Sequence, residues 1–136
     1  MPEPSTVRGA RAAGDAEGEQ RVDKPWGHEL IWAHTDHYVG KILVIETGKR
    51  LSLQVHEVKD ESILVISGRL LLTYGDLGGP LASIELGPGE HHRIEVGKVH
   101  RFAAIERCEL VEVSTPELTD VIRLEDDFGR EGTSAP

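Results

Sequence analysis

The chain has 136 residues, a formal charge of −9 at pH 7 and only 4% aromatic side chains. That length suits one compact core and not two, and the negative average field repels phosphate backbones and anionic lipid, which excludes nucleic acid and membrane surfaces as general partners. Cys108 is the single cysteine, so an intrachain disulfide and a thiolate zinc site are both excluded.

No apolar h-region accompanies Arg8 and Arg11, and no run of 18 apolar residues occurs. A soluble, cytoplasmic protein is therefore expected. Residues 1–21 mix Pro, Gly, Ala and charge, which predicts a disordered tail unable to offset its ordering entropy. A single domain is expected over 22–130 and a frayed end over 131–136. After a Pro25-Trp26-Gly27 loop, short apolar runs punctuated by Gly or Pro cover 29–33, 38–46, 51–56, 62–67, 69–74, 81–86, 91–94 and 109–114. With Val, Ile and Leu as the core formers, such runs favour strands. Their spacing predicts an all-β sandwich or barrel. The acidic stretch 115–127 leaves room for a closing strand.

Around residues 50–56 apolar and polar side chains alternate: Leu51, Leu53 and Val55 on one face, Arg50, Ser52, Gln54 and His56 on the other. Glu61 stands where the returning strand begins and is expected near His56 across the hairpin. Further on, a Gly97-marked bend presents His100. Two imidazoles, a carboxylate and an amide oxygen then make a candidate metal site of Gln54, His56, Glu61 and His100. Such a donor set suits one divalent ion among Zn, Mn, Fe, Co and Ni. Arg50 and Ser52 are expected to line the same pocket, with Lys41 and Arg123 as candidates for holding a phosphate or carboxylate of a small-molecule substrate. His91 and His92 are neighbours on one strand, so they point to opposite faces and cannot both be ligands. Trp26, Trp32 and Cys108 read as packing residues, and His28, His34 and His37 as surface residues.

Gly48, Gln54, His56, Glu61 and Gly68 resemble the first cupin motif, G-x5-H-x-H-x4-E-x6-G, with Gln54 in place of its first histidine. Gly89, Gly97 and His100 match the second motif, while Glu95 and Ala104 stand where it has Pro and Asn. Within cupins, Leu51-Ser52-Leu53-Gln54-Val55-His56, His100-Arg101 and the ending from Val121 to Arg130 are similar to the cupin domain of type II mannose-6-phosphate isomerases. The resemblance implies a double-stranded β-helix (jelly-roll) barrel over about 22–130, a homodimer, and a metal-dependent isomerase acting on a sugar phosphate. It implies an isolated cupin, since the family's frequent nucleotidyltransferase domain has no room here. The ion would polarise the sugar carbonyl or hydroxyl while a base, not identifiable from sequence, moves a proton. The turn Glu57-Val58-Lys59-Asp60 and the Ser62-Ile63 after Glu61 depart from the His- and Arg-rich turn and Glu-His-Trp usual in that family. Two other functions fit the residues: an Fe(II) dioxygenase or lyase using His56, Glu61 and His100 as a facial triad, and a non-catalytic carbohydrate- or small-molecule-binding cupin.

Overall fold

The computed structural model describes residues 20–132. Among them are nine strands: β1 (Gln20–Lys24), β2 (Gly27–His34), β3 (Val39–Ile45), β4 (Leu53–Val55), β5 (Glu61–Asp76), β6 (Leu81–Leu86), β7 (His91–Ile94), β8 (Lys98–Ser114) and β9 (Ile122–Glu125). Every pairing is antiparallel. No helix among the described residues is long and apolar enough to cross a membrane.

The two longest strands serve both faces of the barrel. The first halves of β5 and the last of β8 pair in a layer ordered β1-β2-β3-β8-β5-β7, while their other halves pair in a second layer with β6, β4 and β9. Both strands bend where they pass from one layer to the other. In β5 the bend is at Gly68, whose φ is +82° and whose register with β8 slips on either side. A Cβ there would lie 2.0 Å from the carbonyl oxygen of Arg107, so the crossing strand leaves no space for a side chain. In β8 the bend falls on the exposed Ile105-Glu106-Arg107.

Between the layers lies one apolar core, with Ile45, Leu70, Leu72, Ile94, Cys108 and Leu110 fully buried and Trp26, Leu43, Val65 and Phe102 packed among them. Burial pushes the Cys108 thiol up to about 12, which makes it a small packing residue rather than a nucleophile. Trp26 packs in the core as its sequence context suggests. Trp32, read the same way, is 43% exposed and lies across Gly40, where a Cβ would come within 2.6 Å of its ring.

Four boundaries differ from expectation. β1 begins at Gln20, so Gln20 and Arg21 are strand rather than tail; the rest of that segment, 1–19, lies outside the described residues. The runs 62–67 and 69–74 are one continuous strand, because the glycine between them bends the ladder without ending it. The last strand of the barrel interior, β8, starts at Lys98, eleven residues ahead of the run that signalled it. At the far end, Gly132 donates to the Arg123 carbonyl, so 131–132 are tied down, and 133–136 lie outside the described residues.

Candidate metal centre

A cavity of about 300 Å³ opens above the core, floored by Trp26, Leu43, Leu51 and Phe102. His56 enters it just after β4, Glu61 as the first residue of β5, and His100 as the third residue of β8. His56 Nε2 lies 3.2 Å from Glu61 Oε2 and His100 Nε2 lies 3.9 Å from Glu61 Oε1. The two imidazole centroids are 4.9 Å apart, and one ligand atom from each of the three residues falls within 4.8 Å of the others. All three side chains are buried.

The backbone decides which ring nitrogens face inward. His56 Nδ1 meets the carbonyl of Asp120 at 2.5 Å, and His100 Nδ1 meets the carbonyl of Lys98 at 3.0 Å. A carbonyl can only accept, so each Nδ1 carries the hydrogen, and in the neutral form of each ring the lone pair is on Nε2, turned toward Glu61. Two lone pairs and a carboxylate turned on one another repel unless a cation sits among them. Glu61 Oε2 is buried and has no hydrogen-bond partner among the described residues, although Lys59 Nζ approaches it to 3.1 Å. The donor set of two nitrogens and one carboxylate therefore fits a divalent ion, with positions left for exogenous ligands.

Lys59 and Glu112 complete the charged cluster, and neither was singled out by sequence. Lys59 Nζ lies 3.1 Å from both Glu61 Oε2 and Glu112 Oε2, with all three side chains buried. Burial opposes the ammonium charge, but the carboxylates of Glu112 and Glu61 outweigh it and hold the Lys59 pKa above the ordinary lysine range. Burial likewise opposes charge on Glu61, yet the Lys59 ammonium holds its carboxyl well below the usual range. For His100, burial and then the neighbouring His56 and Lys59 overcome the attraction of Glu61, and the pKa falls to about 4. The neutral ring needed for metal binding is thus the resident form at neutral pH.

That depression makes the metal-free protein acid-sensitive. The unfolded histidine titrates near its ordinary 6.5 and the folded one near 4, so the unfolded chain takes up the proton first as the pH falls. Stability contributed by the neutral ring is complete above about pH 6.5 and is lost toward pH 4. Urea unfolding of metal-free protein is expected to have a lower midpoint at pH 4.5 than at pH 7, with the difference reduced in His100→Asn. Equal pH dependence in the parent and His100→Asn would remove His100 from this role.

Asp120 holds the turn between His56 and Glu61. Its carboxylate accepts the backbone N–H groups of Glu57, Val58 and Lys59 at 3.1, 2.7 and 2.8 Å, while its carbonyl receives His56. Asp120→Ala is expected to weaken metal binding by about 10- to 100-fold, the usual cost of losing an outer-shell partner, with a metal site still measurable. Unchanged affinity in a competition assay with a chromogenic chelator would contradict this.

The remaining sequence candidates fall in different places. Gln54 lines the cavity as the register partner of both His100 and Arg123, and its Nε2 donates to the buried Ser52 Oγ at 3.0 Å, an arrangement that leaves the amide oxygen for another partner. Ser52 thus orients Gln54 from within the same wall. Lys41 and Arg123 line the cavity, Lys41 bound to Glu29 at 3.2 Å. Arg50 does not line it. The regular strand begins only at Leu53, so alternation does not extend back to Arg50, which makes a single bridge to Ala103 and a paired contact to Asp127 at 2.7 and 2.8 Å.

Residues 12–126 match the family model described as Mannose-6-phosphate isomerase C-terminal. The chain belongs to this family. It is 28% identical over 127 residues to the xanthan biosynthesis protein XanB of Xanthomonas campestris pv. campestris, an alignment covering 88% of this chain and 26% of that protein. To the alginate biosynthesis protein AlgA of Pseudomonas aeruginosa it is 28% identical over 126 residues, covering 89% of this chain and 25% of that one. The chain thus spans about a quarter of the length of these relatives. Among solved structures, oxalate decarboxylase from Bacillus subtilis is similar with a TM-score of 0.71 at 16% identity, over 79% of this chain and 30% of that chain. KdgF from Halomonas sp. is similar with a TM-score of 0.65 at 18% identity, over 74% of this chain and 91% of that chain. These likenesses are of fold, and the fold is the cupin barrel that the two motifs imply.

Proposed function

We propose that this family member holds one divalent metal ion on His56, Glu61 and His100, with Gln54 as a fourth, neutral donor, and interconverts the aldose and ketose forms of a sugar phosphate. The observation that carries the reading is the buried, lone-pair-rich cluster on the wall of a cavity of ligand size. The ion would supply a Lewis acid for the carbonyl and neighbouring hydroxyl oxygens of the sugar. The chain's own residues do the rest. Isomerisation takes a proton from C2, returns it to C1 and shifts a hydroxyl proton between the two oxygens, so no oxidant or reductant is consumed. Of the carboxylates lining the cavity, Glu61 faces the histidines and Glu29 is bound to Lys41. Glu112 is ion-paired as well, but with Lys59, which joins it to the Glu61 cluster; it is assigned the carbon-bound proton, and the Lys59 ammonium stabilises negative charge developing on sugar oxygen.

Metal-loaded protein is expected to interconvert mannose 6-phosphate and fructose 6-phosphate, or a neighbouring hexose phosphate pair. Glu112→Gln is expected to lower kcat by about 10²- to 10⁴-fold at unchanged metal content. No turnover across a panel of hexose phosphates with metal bound would refute the isomerase reading, and iron-dependent oxygen uptake would replace it with oxygenase chemistry.

A further inference from the structure

Lys59 sets a cation against one of the metal ligands, and its backbone is fixed there. The Lys59 N–H donates to Asp120 Oδ2 at 2.8 Å, and the next residue, Asp60, exchanges two hydrogen bonds with Thr115, each of 3.0 Å. A lysine ordinarily carries its ammonium outward to water. From this pinned turn the side chain runs inward instead, only 7% exposed, and ends 3.1 Å from both Glu61 Oε2 and Glu112 Oε2.

The two oxygens of Glu61 are used differently. Oε2 faces His56 Nε2 at 3.2 Å and the Lys59 ammonium at 3.1 Å, whereas Oε1 faces His100 Nε2 at 3.9 Å. A divalent ion among the three ligands would therefore draw on the same carboxylate as the ammonium. Like charges a few ångströms apart repel strongly where water is excluded. Glu61 Oε2 and Glu112 Oε2 have no hydrogen-bond partner among the described residues despite their ion-pair distances, so the lysine's hold on them is Coulombic rather than directional. An ion can weaken that hold without breaking a well-aligned bond.

We infer, resting on the metal reading of His56, Glu61 and His100, that Lys59 is an internal competitor of the metal ion: its ammonium holds Glu61 in the metal-free protein and keeps that carboxylate from giving its full charge to the ion. Lys59 is in this sense a positioning residue, acting on the ion through Glu61. The metal-free centre already has a counter-ion for its carboxylate, so the ion is held less tightly than by an unshared carboxylate and is exchangeable. An ion that shares Glu61 with an ammonium also receives less negative charge from it, which makes it the stronger Lewis acid.

Competition of the full chain with a chromogenic chelator reads its affinity for Zn²⁺ and Co²⁺. Lys59→Met is expected to bind each ion about 10-fold or more tightly than the parent, the scale of an outer-shell effect. Damage to the fold would loosen the ion, so a gain cannot come from misfolding. Lys59→Arg keeps the cation and should stay near the parental value; a gain equal to that of Lys59→Met would mean that the cation is not the cause. Lys59→Met alone also makes the centre one charge more negative, so the deciding variant is Lys59→Met combined with Glu112→Gln. That pair removes one charge of each sign, leaves the net charge of the centre unchanged, and should still bind both ions about 10-fold more tightly than the parent. Parental or weaker affinity in the folded double variant would overturn the competition and assign any gain in Lys59→Met to net charge. The two readings fail differently. Metal bound by the parent but no more tightly by the Lys59 variants keeps the metal centre and removes the competitor. His56-dependent binding found in the Lys59 variants alone keeps the competitor and removes the ion from the parent, and binding in none of them removes both.

Discussion

Replacing His56 by Ala is expected to lower metal affinity by more than about 100-fold, beyond the cost of losing an outer-shell partner such as Asp120. The reason lies in how few donors the site has. His56 Nε2 is one of three ligand atoms within 4.8 Å of one another, and its lone pair is aimed by the Asp120 carbonyl behind the ring. Without it, Glu61 retains Lys59 as its counter-ion and the cation is left with one imidazole, one carboxylate and the neutral amide of Gln54. His100→Ala should match it, whereas Gln54→Ala, which removes a neutral donor, should cost less. Arg50→Ala is the control, because its guanidinium is bound to Asp127 outside the cavity, and metal stoichiometry by elemental analysis should stay at the parental value. Stoichiometric metal in His56→Ala would place the ion elsewhere in the molecule.

The cluster of His56, Glu61 and His100 was legible from local motifs, and its supports were not because they come from far along the chain. Glu61 does lie beside His56, but not across the hairpin that the spacing suggested: β4 pairs with β8 and β9 and β5 with β6, β7 and β8, and the turn 57–60 carries the chain from one layer to the other. Gly97 marks the bend before His100, and its N–H donates to the His56 carbonyl, joining the two motifs directly. Asp120, by contrast, reaches the turn at Glu57–Lys59 across 61 to 63 residues, and Asp127 reaches Arg50 across 77. No spacing rule connects such positions. Long-range contacts also explain β8, where residues 98–108 lack clean alternation because Val99, His100, Arg101 and Phe102 are all buried. Arg101 is held in that run by the Leu51 carbonyl, which accepts its Nε–H, and by Glu125. The turn 57–60 departed from the family pattern in sequence, and Lys59 is the physical content of that departure: a cation placed beside the Glu61 carboxylate.

Lys59→Met is therefore expected to destabilise the metal-free protein by about 3–5 kcal/mol, the range for removing one partner from a buried ionic group. Lys59 supplies the one positive charge between Glu61 and Glu112, both nearly solvent-free, and a thioether of similar length restores volume without charge. The two carboxylates would then face each other across an apolar gap, with only neutral imidazoles near Glu61. In a domain of this size the thermal midpoint should fall by about 10 °C or more. Two additions should reverse it in part and by separate routes. Glu112→Gln in the same background removes one of the stranded charges. A divalent ion removes the other, so its stabilising effect should exceed that in the parent, where Lys59 already neutralises Glu61. Metal-free Lys59→Met as stable as the parent, in either thermal or urea unfolding, would mean that the lysine contributes no net charge compensation at the centre. Loss of stability that Glu112→Gln fails to relieve would trace the effect to packing around the lysine stem instead.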